Sequence, residues 1–316
     1  MVLFCYDFVH SRPSDRLSDG AKSYLNNYLA NCENPNLAAD TEHTDARESV
    51  ILTVTYAERW GVVTGASSGI GAEFARQLAG RGMHLVLTAR REDELKQLAE
   101  ELYTAHGTKT EVITADLANP TEPQRLFDEI KQRGIEVELL VNNAGIGFAG
   151  AIEQTDVSRM MELIQVNIAA LTELTYLVLP EMLSRKAGGV INVASVAAFQ
   201  PVAYNGVYSA SKAYVLHFSE SLWAETHQRG VIVMALCPGT TATNFFNVSG
   251  VPHWLEKHPS QTADAVVRAG LTGLDKRRQY YVSGRKNYLL SLLVRLATRA
   301  TVVKGSIKYF KPKKQK

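Results

Sequence analysis

Short apolar runs alternate with longer amphipathic segments along most of this chain, beginning at Trp60. The short runs have the composition of buried strands, and the longer segments repeat apolar residues at helical spacing. Strands that alternate with helices indicate a parallel sheet, because each helix carries the chain back to the end of the sheet where the previous strand began. The chain is therefore expected to form one α/β domain, a Rossmann-like doubly wound parallel sheet of about seven strands. Strands are expected at 61–64, 84–88, 111–114, 138–142, 190–193, 231–236 and 280–282, and helices at 70–81, 92–106, 123–133, 158–184, 203–228 and 262–274.

The two ends of the chain lack this alternation. Residues 1–58 show neither a strand period nor a helical period and are rich in Asn, Asp and Ser, so we expect an irregular or disordered extension. Residues 59–284 would then hold the folded domain, and residues 285–316 a separate tail.

Cysteine usage and hydropathy argue against several classes of protein. Cys5, Cys32 and Cys237 are too few and too scattered for a disulfide framework or a closed zinc site, so we expect a reducing compartment and no metal. Cys237 stands in an apolar run and is expected to be a buried, inert residue. No stretch reaches the roughly 18 consecutive apolar residues of a membrane-spanning helix. The first ten residues lack the features of a signal peptide, so a cytoplasmic location is expected.

A glycine-rich turn follows the first predicted strand, with the sequence TGASSGIG at 64–71, and leads directly into a helical pattern. Gly65 suits the tight turn, Gly69 lets backbone approach a pyrophosphate, and Gly71 lets the helix pack closely on the strand. The free N–H groups at the start of the helix attract phosphate. Glycines also occur in turns for steric reasons alone, but this position predicts a dinucleotide site at Gly65, Ser67, Ser68, Gly69, Ile70 and Gly71.

The second predicted strand ends in Arg90 and Arg91, where an NAD site usually places an acidic residue against the ribose 2′-hydroxyl. A guanidinium pairs with a phosphate through two parallel hydrogen bonds. The pattern therefore favours NADP over NAD. The alternative is that both arginines are solvated residues at the start of a helix.

Tyr208 and Lys212 are four residues apart in a predicted helix and hence lie on one face. An ammonium group beside a phenol is expected to lower the pKa of Tyr208 toward working pH. Tyr208 could then donate a proton to a carbonyl oxygen as hydride arrives.

Ser195 and Asn167 complete a candidate catalytic group. Ser195 follows a predicted strand, at the carboxyl edge where open α/β sheets bind ligands, and its hydroxyl could hold the substrate oxygen. Asn167 interrupts an apolar helical run, which requires buried partners or a place in a site. Each residue alone has an ordinary structural explanation, whereas the four together favour catalysis by Tyr208, Lys212, Ser195 and Asn167.

Residues 60 to about 284 resemble a classical short-chain dehydrogenase/reductase. The matching motifs occur in the order of that family, and Ser195 and Tyr208 are thirteen residues apart, as its pattern requires. The motifs are TGASSGIG at 64–71, Asp116-Leu117, Asn142-Asn143-Ala144-Gly145, Asn167, Ser195, YSASK at 208–212 and Pro238-Gly239.

The resemblance implies a role for each matching position. Asp116 would contact the adenine, Asn143 would brace the central sheet beside the cofactor, and the 238–243 loop would cover the nicotinamide. Thr240, Thr241 and Thr243 all follow the Pro-Gly pair, which leaves open the hydroxyl that meets the carboxamide. The further cofactor positions that it implies are Asp116, Leu117, Asn143, Ala144, Gly145, Tyr208, Lys212, Pro238, Gly239, Thr241 and Thr243.

Two segments bear on substrate and partners. Phe245, Phe246 and Trp254 follow the sixth strand and suggest an apolar lid for an apolar substrate, or else they pack on the body. The tail places an apolar helical face opposite a polar one, with Arg295 and Arg299 on the polar side. Such a basic amphipathic helix suits docking on the body, oligomerisation, a peripheral membrane contact or an acidic partner such as an acyl-carrier protein. The apolar face consists of Leu289, Leu292, Leu293, Leu296, Ala300 and Val303.

The charge distribution separates the body from the tail. All 32 acidic residues lie at or before Asp275, whereas 13 of the 34 Lys and Arg follow it. An acidic body without a groove-reading motif argues against nucleic-acid binding. The sequence thus predicts an NADP-dependent oxidoreductase, a homo-oligomeric ketoreductase for a hydrophobic ketone such as a ketoacyl or steroid-like compound. The alternative is a non-catalytic NADP-binding module that senses redox state or recruits partners.

Overall fold

The computed structural model describes residues 54–251 and 253–310. Its centre is a seven-stranded sheet in which every neighbouring pair of strands is parallel and the strand order is 3-2-1-4-5-6-7. The predicted fold is confirmed. The strands are β1 (Trp60–Thr64), β2 (His84–Thr88), β3 (Thr110–Val112), β4 (Val137–Asn142), β5 (Gly189–Val193), β6 (Ile232–Cys237) and β7 (Tyr280–Val282).

Helices cover both faces of this sheet. Adjacent residues of a strand point to opposite faces, and Val62 and Val63 of β1 accordingly belong to two different apolar clusters. Each face therefore needs its own layer of helices. The helices are α1 (Gly69–Ala79), α2 (Glu92–His106), α3 (Glu122–Gln132), α4 (Val157–Ile164), α5 (Leu171–Arg185), α6 (Gly206–Thr226), α7 (Phe245–Val248), α8 (Trp254–Lys257), α9 (Ala263–Asp275), α10 (Arg285–Leu296) and α11 (Arg299–Phe310).

The helix predicted at 158–184 is continuous but changes its winding in the middle. α4 passes into a π-helical turn, Gln165–Ala170, before α5 begins. A π turn is wider than the α-helix and is common at functional sites. Within the described residues, 157–185 is the one helix long and apolar enough to cross a membrane by length and composition. Its apolar residues have another explanation, because Leu174, Val178 and Met182 are buried in the cluster beneath β4.

The tail forms two helices where the sequence predicted one. Ala297 has an extended backbone after α10, and the Thr298 hydroxyl accepts a hydrogen bond from the backbone N–H of Thr301 at 3.3 Å. A threonine that caps N–H groups in this way starts a new helix, which explains the break. Residues 311–316, the end of the lysine-rich tail, lie outside the described residues.

Residues 54–58 pack on the folded body, although the sequence placed them in the extension. The Tyr56 hydroxyl donates to Asp275 at 2.5 Å, and the Arg81 guanidinium lies 4.6 Å from the centre of the Tyr56 ring. Val54 and Tyr56 also contact the apolar cluster on that face of the sheet. The prediction for residues 1–53 lies outside the described residues.

Candidate active site

The glycine-rich turn joins β1 to α1 at the carboxyl edge of the sheet. Gly65 and Gly69 have φ values of +65° and +58°, which side chains rarely adopt. A Cβ on Gly71 would lie 2.2 Å from the carbonyl oxygen of Gly65, so this position admits only glycine. The first N–H groups of α1 thereby lie against the turn and are available to a phosphate.

Asn143 fastens the turn to the end of β4. Its side-chain Nδ2 donates to the Thr64 carbonyl oxygen at 2.9 Å, while the Thr64 hydroxyl accepts from the backbone N–H of Asn143 at 3.0 Å and of Ala144 at 2.9 Å. A Cβ on Gly65 would lie 2.9 Å from Asn143 Nδ2. The carboxyl ends of β1 and β4 are therefore bound to each other beneath the glycine-rich turn.

The two arginines after β2 occupy different positions. Arg91 donates through Nη2 to the hydroxyls of Ser67 at 2.9 Å and Ser68 at 3.1 Å, so it lies directly on the glycine-rich turn. The Arg90 side chain is 59% exposed, and its Nη1 lies 3.9 Å from a carboxylate oxygen of Glu162.

An open cavity of about 480 Å³ lies beside Arg90 and is lined also by Asp116 and Arg125. Asp116 is exposed and accepts from the backbone N–H of Ala118 at 3.2 Å, in a short turn of its own. Leu117, by contrast, is 8% exposed and its side chain belongs to the apolar core. Only the backbone of Leu117 is therefore positioned to line a site.

Tyr208 and Lys212 lie on one face of α6, as their spacing predicted. Lys212 Nζ is 5.8 Å from the centre of the Tyr208 ring and donates to the carbonyl oxygen of Val193 at 2.8 Å. Ser195 follows β5, and its hydroxyl accepts from the backbone N–H of Ala197 at 3.1 Å. Ser195 also lies near enough to Tyr208 to lower the pKa of the phenol.

Asn167 lies in the π turn and is completely buried. Its Oδ1 accepts from the backbone N–H of Ile146, and its Nδ2 donates to the Ile146 carbonyl oxygen, both at 2.9 Å. Nδ2 also donates to the Ser211 hydroxyl at 3.1 Å. A Cβ on Gly145 would lie 3.3 Å from Lys212 Nζ and 3.4 Å from Asn167 Oδ1, so the structure brings these three residues together.

The loop after β6 lies over the glycine-rich turn. A methyl carbon of Thr243 would lie 3.1 Å from a Cβ on Gly69, whereas the buried Thr241 donates its hydroxyl to the Gly239 carbonyl oxygen at 3.0 Å. Thr243 is therefore the threonine that faces the predicted phosphate site. The Thr240 hydroxyl accepts from the indole N–H of Trp254 at 3.2 Å.

Two phenylalanines of α7 have different neighbours. The Phe245 ring lies 5.7 Å from the Tyr208 ring, and a Cβ on Gly147 would lie 2.5 Å from Phe245 Cζ. Phe246 instead stacks on Trp254, with ring centres 6.0 Å apart. Phe245 thus covers the candidate proton donor, while Phe246 packs within the loop.

Comparison with known proteins agrees with this geometry. The family model of the short chain dehydrogenase matches residues 59–250. The chain belongs to this family. The resemblance inferred from the motifs is confirmed, and the chain is by family an oxidoreductase with a nucleotide cofactor site.

Individual short-chain dehydrogenase/reductase relatives differ in what their names state. A very-long-chain 3-oxoacyl-CoA reductase from Anas platyrhynchos is 38% identical over 196 residues, which cover 60% of this chain and 62% of that protein. An inactive hydroxysteroid dehydrogenase-like protein 1 from Homo sapiens is 33% identical over 240 residues, covering 74% of this chain and 71% of that one. A solved short-chain dehydrogenase from Sphingobium yanoikuyae, in complex with NADPH, is 29% identical with a TM-score of 0.69, covering 82% of this chain and 98% of that chain.

Burial shifts the pKa values of Tyr208 and Lys212. It raises the pKa of Tyr208 to about 12, against the opposing effect of the nearby Ser195 side chain. It lowers the pKa of Lys212 to about 8. The pKa of Tyr208 is thus raised, not lowered as the sequence predicted, because desolvation is the largest influence on the phenol. A phenol that keeps its proton suits the donation of that proton.

Sequence reasoning missed four residues that build the site. Thr64 accepts a hydrogen bond from Asn143, and Ser211 accepts one from Asn167. Thr64 belongs to the motif TGASSGIG and Ser211 to YSASK, so both motifs contained the signal. The third residue, Gly147, faces Phe245. The fourth is Asn287 of α10, which lies so close to Gly239 that a Cβ on that glycine would be 2.2 Å from Asn287 Nδ2. No local signal reveals the last two, because their contacts are between segments distant in sequence.

Two further expectations concern cysteine and metal. Cys237 is completely buried at the end of β6, and burial raises the pKa of its thiol, as befits an inert residue. Among the described residues, no group of three or more His, Cys, Asp and Glu side chains is placed to hold a metal ion.

Proposed function

We propose that this chain is an NADP-dependent ketoreductase that reduces an apolar ketone to an alcohol. The observation that carries the proposal is the cluster at the carboxyl edge of the sheet. There the half-buried Tyr208 and Ser195 converge with the buried Lys212 and Asn167 beside the glycine-rich turn. NADPH, when bound, supplies the hydride that reaches the carbonyl carbon.

The residues at the turn fit such a dinucleotide. Gly65, Gly69 and Gly71 leave a cradle that any Cβ would fill, and the N-terminus of α1 opens onto it. Asn143 holds the turn against the end of β4. Asp116 would contact the adenine, and Thr243 would cover the diphosphate and the nicotinamide.

The chain's own groups perform the proton chemistry. Tyr208 donates its phenolic proton to the carbonyl oxygen, and the Ser195 hydroxyl holds that oxygen in line. Lys212 would hold the nicotinamide ribose when the cofactor is bound, and it contributes positive charge next to the phenolate that forms. Asn167 positions Lys212 through Gly145 and Ser211.

The preference for NADP over NAD rests on charge at the end of β2. Arginines rather than a carboxylate directly follow Ala89 after the strand, and Arg91 lies on Ser67 and Ser68 of the turn while it also pairs with Glu94 at 3.1 Å. A 2′-phosphate would receive charge-assisted hydrogen bonds from Arg91 and, at the cavity edge, from Arg90.

The apolar character of the substrate rests on Phe245. Its ring covers Tyr208, so a ketone that reaches the proton donor must pass or contact this ring. The duck relative is named for a long acyl chain, which agrees with an apolar, ketoacyl or steroid-like substrate.

A cytoplasmic homo-oligomer is part of the same proposal. Tyr176 of α5 and Tyr214 of α6 are 60% and 37% exposed, and each lies against the same half-buried ring of Phe218. Exposed aromatic clusters of this kind are typical of protein interfaces. Analytical ultracentrifugation tests the oligomeric state. A mass equal to that of one chain, unchanged at high protein concentration, would contradict the homo-oligomer.

The second candidate is a non-catalytic NADP-binding module, favoured by the human relative that is named inactive. The complete set of catalytic side chains argues against it here, because cofactor binding alone does not need Tyr208 next to Ser195.

The experiment follows NADPH oxidation with a panel of ketones and aldehydes for wild type, Tyr208→Phe and the control Tyr103→Phe. Tyr103 is 68% exposed on α2, so its variant should equal wild type. Ketone-dependent oxidation that is lost only in Tyr208→Phe supports the reductase. NADPH binding without turnover across the panel supports the module, and a preference for NADH contradicts the cofactor assignment.

A further inference from the structure

Helix α10 turns its leucines toward solvent, whereas a helix that docks on the body would bury them. On α10, Leu289, Leu293 and Leu296 point to solvent with 57%, 49% and 84% of their surface exposed. Ser291, which lies on the opposite side of the helix, is 5% exposed. The apolar side predicted from the sequence thus exists, but it is turned away from the domain.

Hydrogen bonds rather than apolar burial fix this orientation. Asn287 Nδ2 donates to the Ser283 carbonyl oxygen at 2.8 Å and to Gln261 Oε1 at 3.3 Å, and it presses on Gly239. The leucines therefore gain little from folding. A contiguous exposed apolar face on a soluble domain usually marks a contact with something else.

The charges that α10 and α11 themselves carry are of one sign. Arg285 and Lys286 stand at the start of α10 and are exposed, as are Arg299 and Lys304 of α11. No Asp or Glu occurs anywhere in residues 276–316. An apolar helix face bordered by cations is the pattern of a helix that lies in the interface of an anionic membrane.

A second copy of the chain is a poorer occupant. Contact around a two-fold axis would bring the same surface of each copy together. Arg285 and Lys286 would then approach either their own symmetry mates or, in an antiparallel pair, Arg299 of the other copy, and like charges that meet in an interface weaken it.

The two helices of the tail are attached close to the candidate active site. The Arg295 guanidinium is 5.9 Å from the centre of the Phe199 ring, in the short helix that Ser195 begins. On α11, the Ser306 hydroxyl accepts from the backbone N–H of Ala203, just ahead of α6, at 3.0 Å. Both helices are therefore attached to segments that flank Ser195 and Tyr208.

We propose that the outward face of α10, formed by Leu289, Leu293 and Leu296 with Arg285 and Lys286, docks this protein on an anionic lipid surface. The docking does not depend on the proposed reductase activity. It places the domain where an apolar ketone dissolved in the bilayer is within reach of the segments beside Tyr208.

The test is co-flotation of the full chain with vesicles of phosphatidylcholine alone or of phosphatidylcholine with phosphatidylserine. Wild type should float with the phosphatidylserine vesicles, and high salt should weaken the association, because charge contributes to it. Leu293→Glu should lower the partition coefficient by at least about tenfold. Met161→Glu, on the exposed side of α4 at 58% exposure, is the matched control and should float like wild type.

The outcomes separate the docking surface from the fold and from the activity. Both variants should keep wild-type circular dichroism and NADPH binding, because neither substitution touches the core. Failure of wild type to float, or equal losses in Leu293→Glu and Met161→Glu, overturns the proposal. A dimer that Leu293→Glu converts to monomer, with no flotation of wild type, would instead identify the face as an interface between copies.

Discussion

The Lys212 ammonium donates a hydrogen bond of 2.8 Å to the carbonyl oxygen of Val193, two residues before Ser195. The end of β5 therefore fixes the position of the lysine on α6 and, through the helix, that of Tyr208. Burial at this place lowers the pKa of Lys212 to about 8, so the ammonium loses its proton as the pH rises through that value. Tyr208, with a pKa of about 12, keeps its proton throughout.

Reduction should therefore decline above pH 8. The positive charge next to the developing phenolate is present below the pKa of Lys212 and lost above it, and kcat/KM reports the groups of the free enzyme. Lys212→Arg keeps its charge at every accessible pH, so any activity that it retains should lack this decline. The check is kcat/KM against pH for both proteins; a flat wild-type profile, or the same decline in the arginine variant, would contradict the assignment.

Gly71→Ala should abolish cofactor binding. The added methyl group would lie 2.2 Å from the Gly65 carbonyl oxygen and must push α1 away from the turn, so the Kd for NADPH should rise at least ~100-fold. Gly305→Ala is the control, because nothing lies within 4 Å of its added Cβ on α11. Isothermal titration, with the melting temperature of each variant, distinguishes lost binding from unfolding. Wild-type affinity in Gly71→Ala would mean that phosphate lies elsewhere.

Arg91→Ala should reduce the preference for NADP. A charge-assisted hydrogen bond to a 2′-phosphate contributes about 1.5–3 kcal/mol, which corresponds to a rise of roughly 10–100-fold in KM for NADPH. KM for NADH should stay within about twofold, since NADH offers no 2′-phosphate. Arg90→Ala, at the more exposed position, should have the smaller effect. Equal effects on both cofactors would show that Arg91 acts only by holding Ser67 and Ser68.

The sequence was most informative where function depends on local spacing. The turn at 64–71 and the i, i+4 pair Tyr208 and Lys212 are determined within a few residues of chain, and the structure places them as the spacing required. The orientation of α10 was beyond sequence reasoning, because helical periodicity shows that an apolar face exists but not the direction in which it points. Asn287 decides that direction through its contacts with Gln261 and Gly239, which lie in distant segments.

The pKa values of Tyr208 and Lys212 were likewise predictable only in part from the sequence. The sequence placed Lys212 beside Tyr208, but the extent of burial, which decides both pKa values, is a property of the assembled fold. The break between α10 and α11 follows from the cap at Thr298, a local signal that the longer apolar period conceals.

Asn167→Ala should destabilise the fold as well as the site. The substitution removes the hydrogen bonds of Asn167 with the half-buried N–H and carbonyl groups of Ile146 and with the Ser211 hydroxyl. Each bond contributes about 1 kcal/mol, so a loss of roughly 3 kcal/mol in the free energy of unfolding is expected. Asn247→Ala, an exposed amide of α7, should change it by less than about 0.5 kcal/mol. Urea denaturation measures both. A loss in Asn167→Ala no larger than in Asn247→Ala would contradict the bracing role.

Phe245→Ala should change the choice of substrate rather than the chemistry. Its ring covers Tyr208 at 5.7 Å and fills the space above Gly147, so removing it opens room next to the proton donor. We expect the ratio of kcat/KM for a bulky ketone to that for a small one to rise by about tenfold, the effect of a few methylene-sized volumes in an apolar pocket. Phe246→Ala is the matched control, because that ring stacks on Trp254 and leaves Tyr208 untouched. A ratio that rises equally in both variants would show that the whole loop, and not Phe245, controls access to Tyr208.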